Sequence, residues 1–217
     1  MGAALVEFDV QLTRDGHVVV IHDPTVDRTT NGRGRVGDMS LQELRALSAG
    51  YPDRFGSSYV GERIPTLAEA LSFLRGRVRA MVEIKLDSVT DDAAGGIEAR
   101  TIEEVRRQGM SEDLALISFD TRALERCRDM APEVVRGHLF DRGLEEAVAA
   151  AVEVGALVVM PEKRLLSEEL RDHTKAAGLK LATWVVDDPL ELAALERFDL
   201  YGLATNRPGI MIEALAD

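Results

Sequence analysis

The feature that most constrains the fold is a regular alternation of short apolar runs with longer helix-like stretches. Seven runs have the length and composition of strands: Leu5–Val10, Met81–Ile84, Leu114–Ser118, Val134–Leu139, Ala156–Met160, Lys180–Val186 and Tyr201–Ala204. Seven stretches have helical periodicity: Leu67–Arg75, Asp91–Gln108, Thr121–Asp129, Gly143–Val154, Ser167–Ala177, Pro189–Arg197 and Pro208–Ala216. This order predicts parallel strands joined by crossover helices.

Helix boundaries are marked by capping residues. Thr66 and Glu69 form a predicted capping box ahead of one helix, and Ser40 and Glu43 form another. Gly178 suits the end of the helix that precedes LKLATWVV. The chain of 217 residues has the length of one (β/α)₈ TIM-type barrel. The alternation alone leaves a doubly wound open sheet as an alternative.

One connection is too short for a parallel crossover. Only seven residues separate Val10 from Val18, whereas a parallel crossover needs about a dozen or more. The segment Val18–Ile21 is therefore predicted to return antiparallel, as a hairpin. Asp15-Gly16 is a dipeptide favoured in two-residue type I′ turns, and we place the turn there.

This hairpin and the next strand bring polar side chains together. The predicted register places Asp9 opposite His22, and strand alternation places Glu7 on the same face as Asp9. In MVEIKLD, Glu83 and Lys85 would point the same way. All of them lie at the carboxyl ends of strands, where barrel enzymes place their chemistry.

Three clustered carboxylates indicate a cation site. Without a partner they would repel one another, and hard oxygen donors suit Mg²⁺ or Ca²⁺. Ordinary alternatives stay open from the residues alone. Alternating acids are common on a solvated strand face, His22 also suits a strand-end turn, and Lys85 also suits an ion pair with Glu83.

The ordered motifs resemble those of the glycerophosphodiester phosphodiesterase family. They are VEFDVQLTRDGHVVVIHDPTVDRTTNGRGRV, IPTLAEAL, VEIK, ISFD, ATWVVDD and GLATNRPG, and together they cover essentially the whole chain. The resemblance implies a (β/α)₈ barrel and a phosphoric diester hydrolase. It also implies cation-dependent hydrolysis of glycerophosphodiesters to glycerol 3-phosphate and an alcohol.

Site residues follow from the resemblance by matching position. It implies metal ligation by Glu7, Asp9 and Glu83, acid–base catalysis by His22, phosphate binding by Lys85, and a pocket wall formed by Trp184. The sequence also allows Trp184 to be a core residue.

The resemblance also has a gap at the N-terminus. The family opens with a strand ending in His-Arg-Gly, followed by Glu-Asn-Thr, and neither motif is present here. We therefore expect a barrel that lacks its first βα unit, with seven barrel strands plus a hairpin return strand. The resemblance implies that this His is the second acid–base group and that this Arg binds phosphate. Loss of the histidine predicts activity lower by about 10²–10⁴-fold, and loss of the arginine predicts a further decrease. The open edge predicts a homo-oligomer contact. The alternative is a non-catalytic or truncated barrel that acts as a binding or assembly module.

The whole chain, residues 1–217, is expected to form one domain with a lid-like insertion at about 23–65. Connections of this length are usually functional, and this one directly follows the hairpin. Within the insertion, Arg28 suits contact with an anionic substrate, and a surface ion pair is the alternative.

Composition excludes several classes. The net charge of −12 disfavours nucleic acid as a partner. The single cysteine, Cys127, excludes a disulfide within the chain. No apolar run approaches the roughly 18 residues of a membrane span, so stable membrane insertion is not expected. A small glycerophosphodiester is the expected partner. We expect a cytoplasmic location, with a secreted or periplasmic one left open because the resemblance indicates a missing N-terminal part.

Overall fold

The protein folds around one curled, mostly parallel sheet, as described for residues 2–216 by a computed structural model. Its strands are β1 (Leu5–Leu12), β2 (Val18–Val20), β3 (Arg79–Ile84), β4 (Leu114–Ser118), β5 (Val135–Phe140), β6 (Val158–Pro161), β7 (Lys180–Thr183) and β8 (Gly202–Leu203). Its helices are α1 (Leu41–Ala46), α2 (Pro52–Phe55), α3 (Leu67–Leu74), α4 (Ile97–Arg107), α5 (Thr121–Met130), α6 (Leu144–Glu153), α7 (Glu168–Ala176), α8 (Leu192–Leu195) and α9 (Pro208–Ala216).

The strand order is β2-β1-β3-β4-β5-β6-β7-β8. Only β2 is antiparallel to its neighbour, so the prediction of seven parallel strands plus one return strand is confirmed. From β3 onward the strand order follows the chain and never reverses. Right-handed crossovers then place the helices that connect the parallel strands on the same face of the sheet, which curls it towards a barrel. The doubly wound alternative, which requires a reversal, is wrong.

Strand alternation divides the sheet into two faces. On the outer face, Val10, Val82 and Leu116 pack against Leu67 and Leu71 of α3 and its neighbours. The inner face carries a second buried cluster, formed by Ile117, Leu139, Val158, Met160 and Ala182, with Met81, Phe119 and Trp184 against it. The polar residues of the inner face are therefore left at the strand ends, above an apolar floor.

The predicted caps are confirmed. Thr66 Oγ1 accepts the N–H of Glu69 at 3.2 Å, and Glu69 returns a bond to the N–H of Thr66 at 2.8 Å. The Ser40–Glu43 box has the same pattern. Gly178 follows α7 with φ +72°, a conformation that costs glycine little.

Two helix boundaries differ from the prediction. The stretch expected from Asp91 becomes helical only at Ile97, because the Asp92 side chain accepts the N–H groups of Ala94 and Gly95 and forms a turn. The helix expected at 189–197 is divided among a 3₁₀ turn, the four-residue α8 and a second 3₁₀ turn.

The curled sheet has two free edges within the described chain. No strand pairing there joins β1 to β8, since β8 pairs with β7 and the first half of β1 pairs only with β3. Leu5 and Val6 keep 36% and 38% of their surface exposed. Across the same residues, none of the helices has the length and apolar character needed to cross a bilayer.

Candidate active site

The hairpin at the start of the chain turns differently from the prediction. The paired residues are Val10 with Val20, Gln11 with Val19, and Leu12 with Val18. The N–H of Thr13 donates to the carbonyl of His17 at 2.9 Å, so three residues form the loop instead of two. Gly16 takes φ +80°, the left-handed position that ends a three-residue hairpin loop. The predicted two-residue turn is wrong.

The new register moves His22 relative to Asp9. The N–H of Ile21 donates to the carbonyl of Asp9 at 3.1 Å, so Asp9 faces Ile21 and the predicted Asp9–His22 pairing is wrong. His22 lies beyond the end of β2, and 62% of its side chain is exposed. Its Nδ1 lies 2.8 Å from Oδ1 of Asp23. The imidazole is therefore held by the insertion that follows the hairpin.

Three carboxylates meet at the mouth of the curled sheet. Asp9 and Glu83 are register partners on the parallel strands β1 and β3, and Glu7 lies two residues earlier on the same face of β1. One oxygen from each of the three lies within 4.8 Å of the others. This convergence depends on strand alternation and parallel pairing, not on the hairpin turn, so it survives the change of register.

Lys85 lies against two of these acids. Its Nζ is 2.8 Å from Oε1 of Glu83 and 3.3 Å from Oδ1 of Asp9, and 15% of its side chain is exposed. With Glu7 included, the ionised group carries three negative charges and one positive charge. The excess of two negative charges, borne by carboxylate oxygens, fits a hard divalent cation.

Burial and mutual repulsion shift the ionisation of the cluster. Burial, followed by the charges of Asp9 and Glu83, raises the pKa of Glu7 to about 8. Burial also raises the pKa of Glu83, against the opposing hydrogen bond from Lys85. Burial alone would lower the pKa of Lys85, but Glu83 and Asp9 raise it. Glu7 is exposed as a whole residue while its carboxyl group is largely enclosed, so solvent screens only part of this repulsion.

The raised pKa of Glu7 leads to a prediction about folding stability that can be tested without an activity assay. Its folded-state pKa of about 8 lies above its ordinary value of 4.5, so the folded protein retains a proton that the unfolded chain releases. Stability is therefore lost as pH rises from about 4.5 to 8. In EDTA, Glu7→Gln is expected to raise Tm at pH 8 and leave it unchanged at pH 4.5. Thermal unfolding at both values checks this, with exposed Glu103→Gln on α4 as the control. Equal effects of Glu7→Gln at the two values would contradict it.

Two aromatic side chains pack together on the inner face of the sheet. Trp184 follows β7, and its indole Nε1 donates to the carbonyl of Met160 at 2.8 Å. Its ring meets Phe119 edge to face, with centroids 5.7 Å apart. Trp184 is half-buried and belongs to the inner face. Phe119 was not among the predicted site residues, although the inward alternation of Ala115 and Ile117 on β4 pointed to it.

Arg28 is engaged with Asp23. Its Nε and Nη2 donate to Oδ2 and Oδ1 of Asp23 at 2.6 and 2.8 Å. The guanidinium also lies 5.6 Å from the centre of the Tyr51 ring. The ion-pair alternative therefore describes Arg28 in this structure.

Two other titratable groups are packed away from the mouth. His138 is buried on the outer face of β5, stacks on Phe140, and has its pKa lowered by burial. Burial raises the pKa of the Cys127 thiol to about 12, which leaves it unreactive.

The fold and the position of the acidic cluster are those of an α/β-barrel enzyme whose chemistry lies at the carboxyl ends of the strands. The model of the glycerophosphoryl diester phosphodiesterase family matches residues 1–210. The chain belongs to this family, and hence to the phosphoric diester hydrolases.

Individual relatives agree with this membership. The chain is 37% identical to a glycerophosphodiester phosphodiesterase of Caldanaerobacter subterraneus, over 98% of this chain and 86% of the relative. Among solved structures it is similar to an Oleispira antarctica phosphodiesterase in complex with the product sn-glycerol-3-phosphate. That likeness has a TM-score of 0.89 and 25% identity, and covers 100% of this chain and 86% of the other. A Silicibacter pomeroyi structure, described as a putative family member, gives a TM-score of 0.86 and 26% identity, covering 100% and 84%.

Proposed function

We propose that this chain hydrolyses glycerophosphodiesters to glycerol 3-phosphate and an alcohol, with Mg²⁺ or Ca²⁺ held by Glu7, Asp9 and Glu83. The observation that carries the proposal is the cluster of three carboxylate oxygens within 4.8 Å, at the mouth of a family barrel. Support also comes from the Oleispira antarctica relative, which was solved with the product sn-glycerol-3-phosphate.

Each residue at the mouth has a distinct task in this proposal. Glu7, Asp9 and Glu83 would hold the divalent cation, which would supply Lewis-acid polarisation of a phosphoryl oxygen and offset charge in the transition state. Lys85 lies beside the same carboxylates and supplies a positive contact to a phosphate oxygen. His22 moves a proton, either from the attacking hydroxyl or water or to the leaving alkoxide. Trp184 and Phe119 form an apolar wall against the carbon atoms of the substrate.

The proposal also concerns the gap between β1 and β8. Among the described residues we assign only His22 to acid–base catalysis, so we propose activity about 10²–10⁴-fold below that of an enzyme with two such groups. The free edges of β1 and β8, with the exposed Leu5 and Val6, are where we place a homo-oligomer contact.

The segment at about 23–65 acts as a lid in this proposal, within a single domain. Its support is a separate buried cluster that joins the segment to the hairpin, formed by Val19, Ile21, Val26, Val36, Leu44 and Ile64. This packing holds the segment against the hairpin that leads to His22, which supports a lid role.

The direct test is hydrolysis of glycerophosphocholine by purified protein. We expect release of glycerol 3-phosphate with added Mg²⁺ or Ca²⁺, and its loss in EDTA with recovery on adding the metal back. A titration with glycerol 3-phosphate, followed by calorimetry, separates the binding-module alternative, which predicts binding without turnover. Hydrolysis that EDTA leaves unchanged would contradict the proposed metal role.

A further inference from the structure

We propose that Asp23 and Arg28 are positioning residues for His22, because together they hold its imidazole with Nδ1 as the donor and leave Nε2 facing the substrate. This inference rests on the proposed function for the role of His22. It assigns Arg28 to the histidine instead of to the substrate phosphate.

Hydrogen bonds link the imidazole of His22, through the carboxylate of Asp23, to Arg28 in the insertion. Nδ1 of His22 lies 2.8 Å from Oδ1 of Asp23. Arg28 contacts the same carboxylate through two nitrogens, at 2.8 Å to Oδ1 and 2.6 Å to Oδ2. Both carboxylate oxygens are thus engaged by a planar two-pronged donor, which leaves the carboxylate one orientation.

The carboxylate decides which imidazole nitrogen carries the proton. Hydrogen bonds from Arg28, followed by the one from His22, lower the pKa of Asp23 to about 2 against the effect of burial, so it is ionised at neutral pH. An ionised carboxylate only accepts hydrogen bonds, so Nδ1 of His22 must be the donor. Nε2 then has a lone pair when the ring is neutral and an N–H when it is charged, and both are useful in acid–base chemistry.

Further contacts hold the two ends of the hydrogen-bonded series formed by His22, Asp23 and Arg28. The guanidinium of Arg28 lies over the Tyr51 ring, and the N–H of Tyr51 donates to the carbonyl of Thr29 at 3.0 Å. At the other end, Gln11 Nε2 donates to the backbone carbonyl of His22 at 3.2 Å. His22 is otherwise 62% exposed. An exposed imidazole without such a partner would sample both tautomers and several rotamers.

The substitution Asp23→Ala tests this arrangement by removing the carboxylate. No oxygen would then remain to accept from Nδ1 of His22 or to hold Nε and Nη2 of Arg28. The preference for the Nδ1–H form should be lost, which leaves a mixture of tautomers. Arg28→Gln removes the two-nitrogen contact to Asp23. The carboxylate is then no longer held in one orientation, and a mixture of His22 tautomers is expected.

The measurement is ¹⁵N NMR of the histidine side chains at a pH where the rings are neutral. The chain has only four histidines, so His22 can be assigned from the spectrum of His22→Ala. Arg106→Gln is the matched control, because Arg106 makes a similar two-nitrogen ion pair with Glu133 away from the mouth. A pure Nδ1–H signal that persists in Asp23→Ala would overturn the proposal.

Kinetics supply the second readout. Asp23→Ala is expected to lower kcat for glycerophosphocholine by about 10–100-fold with little change in KM. In a His22→Ala background the same substitution should cost nothing more, because the group it positions is gone. A further loss in that background would contradict the proposal. If the unaltered protein hydrolyses no glycerophosphodiester, the proposed function fails, while the tautomer measurement still decides the role of Asp23.

Discussion

Replacing Glu83 with glutamine is expected to remove nearly all cation-dependent hydrolysis of glycerophosphocholine. Glu83 faces Asp9 across β1 and β3 and is buried, so its carboxylate cannot be replaced by water or by a nearby side chain. Loss of the bound cation removes several kcal/mol of transition-state stabilisation, and we expect kcat/KM to fall by about 10³-fold or more. Asp9→Asn should have the same effect.

Folding and charge can be separated from metal binding in this experiment. Asp129→Asn changes the charge equally at an exposed position on α5, and hydrolysis should be unaffected. In Glu83→Gln, added Mg²⁺ or Ca²⁺ should no longer raise Tm, although the variant remains folded. Turnover that survives in both Glu83→Gln and Asp9→Asn would remove the cation site from the mechanism.

His22→Ala is expected to lower kcat by about 10²–10⁴-fold, the usual contribution of one acid–base group. Binding of the cation should be unchanged, because His22 does not belong to the carboxylate cluster that the described residues form. Steady-state kinetics and Tm with and without metal measure the two effects separately.

The same hairpin supplies a control for this substitution. His17 is also exposed and also lies near an aspartate, with Nδ1 3.4 Å from Oδ1 of Asp15. It borders the turn, so His17→Ala should leave kcat unchanged. Equal losses in the two variants would indicate a general effect on the hairpin and would contradict a catalytic role for His22.

The carboxylate cluster was predictable because it depends on short-range rules. Side chains alternate along a strand, and neighbouring parallel strands end at the same edge. Glu7, Asp9 and Glu83 therefore had to share a face once β1 and β3 were neighbours. The phosphodiester chemistry proposed for this cluster came from the family resemblance, not from these rules.

The placement of His22 was less accessible to sequence reasoning. A shift of one residue in the hairpin register turns every following side chain to the other face. Asp15-Gly16 suited a two-residue turn, but the observed loop has three residues and ends at Gly16. The choice between these turns depends on hydrogen bonds and packing around the loop, where the N–H of Arg14 donates to the carbonyl of Met39 in the insertion.

The sequence by itself determined the strand–helix alternation, the antiparallel return of β2, the capping boxes and the shared face of the three acids. These follow from apolar periodicity, chain length and local hydrogen bonding. Only the tertiary structure decided the hairpin register, the engagement of Arg28 by Asp23, and the contact between Phe119 and Trp184. Each of these joins side chains whose relative positions depend on how separate segments pack, and pattern along one segment carries no information about that packing.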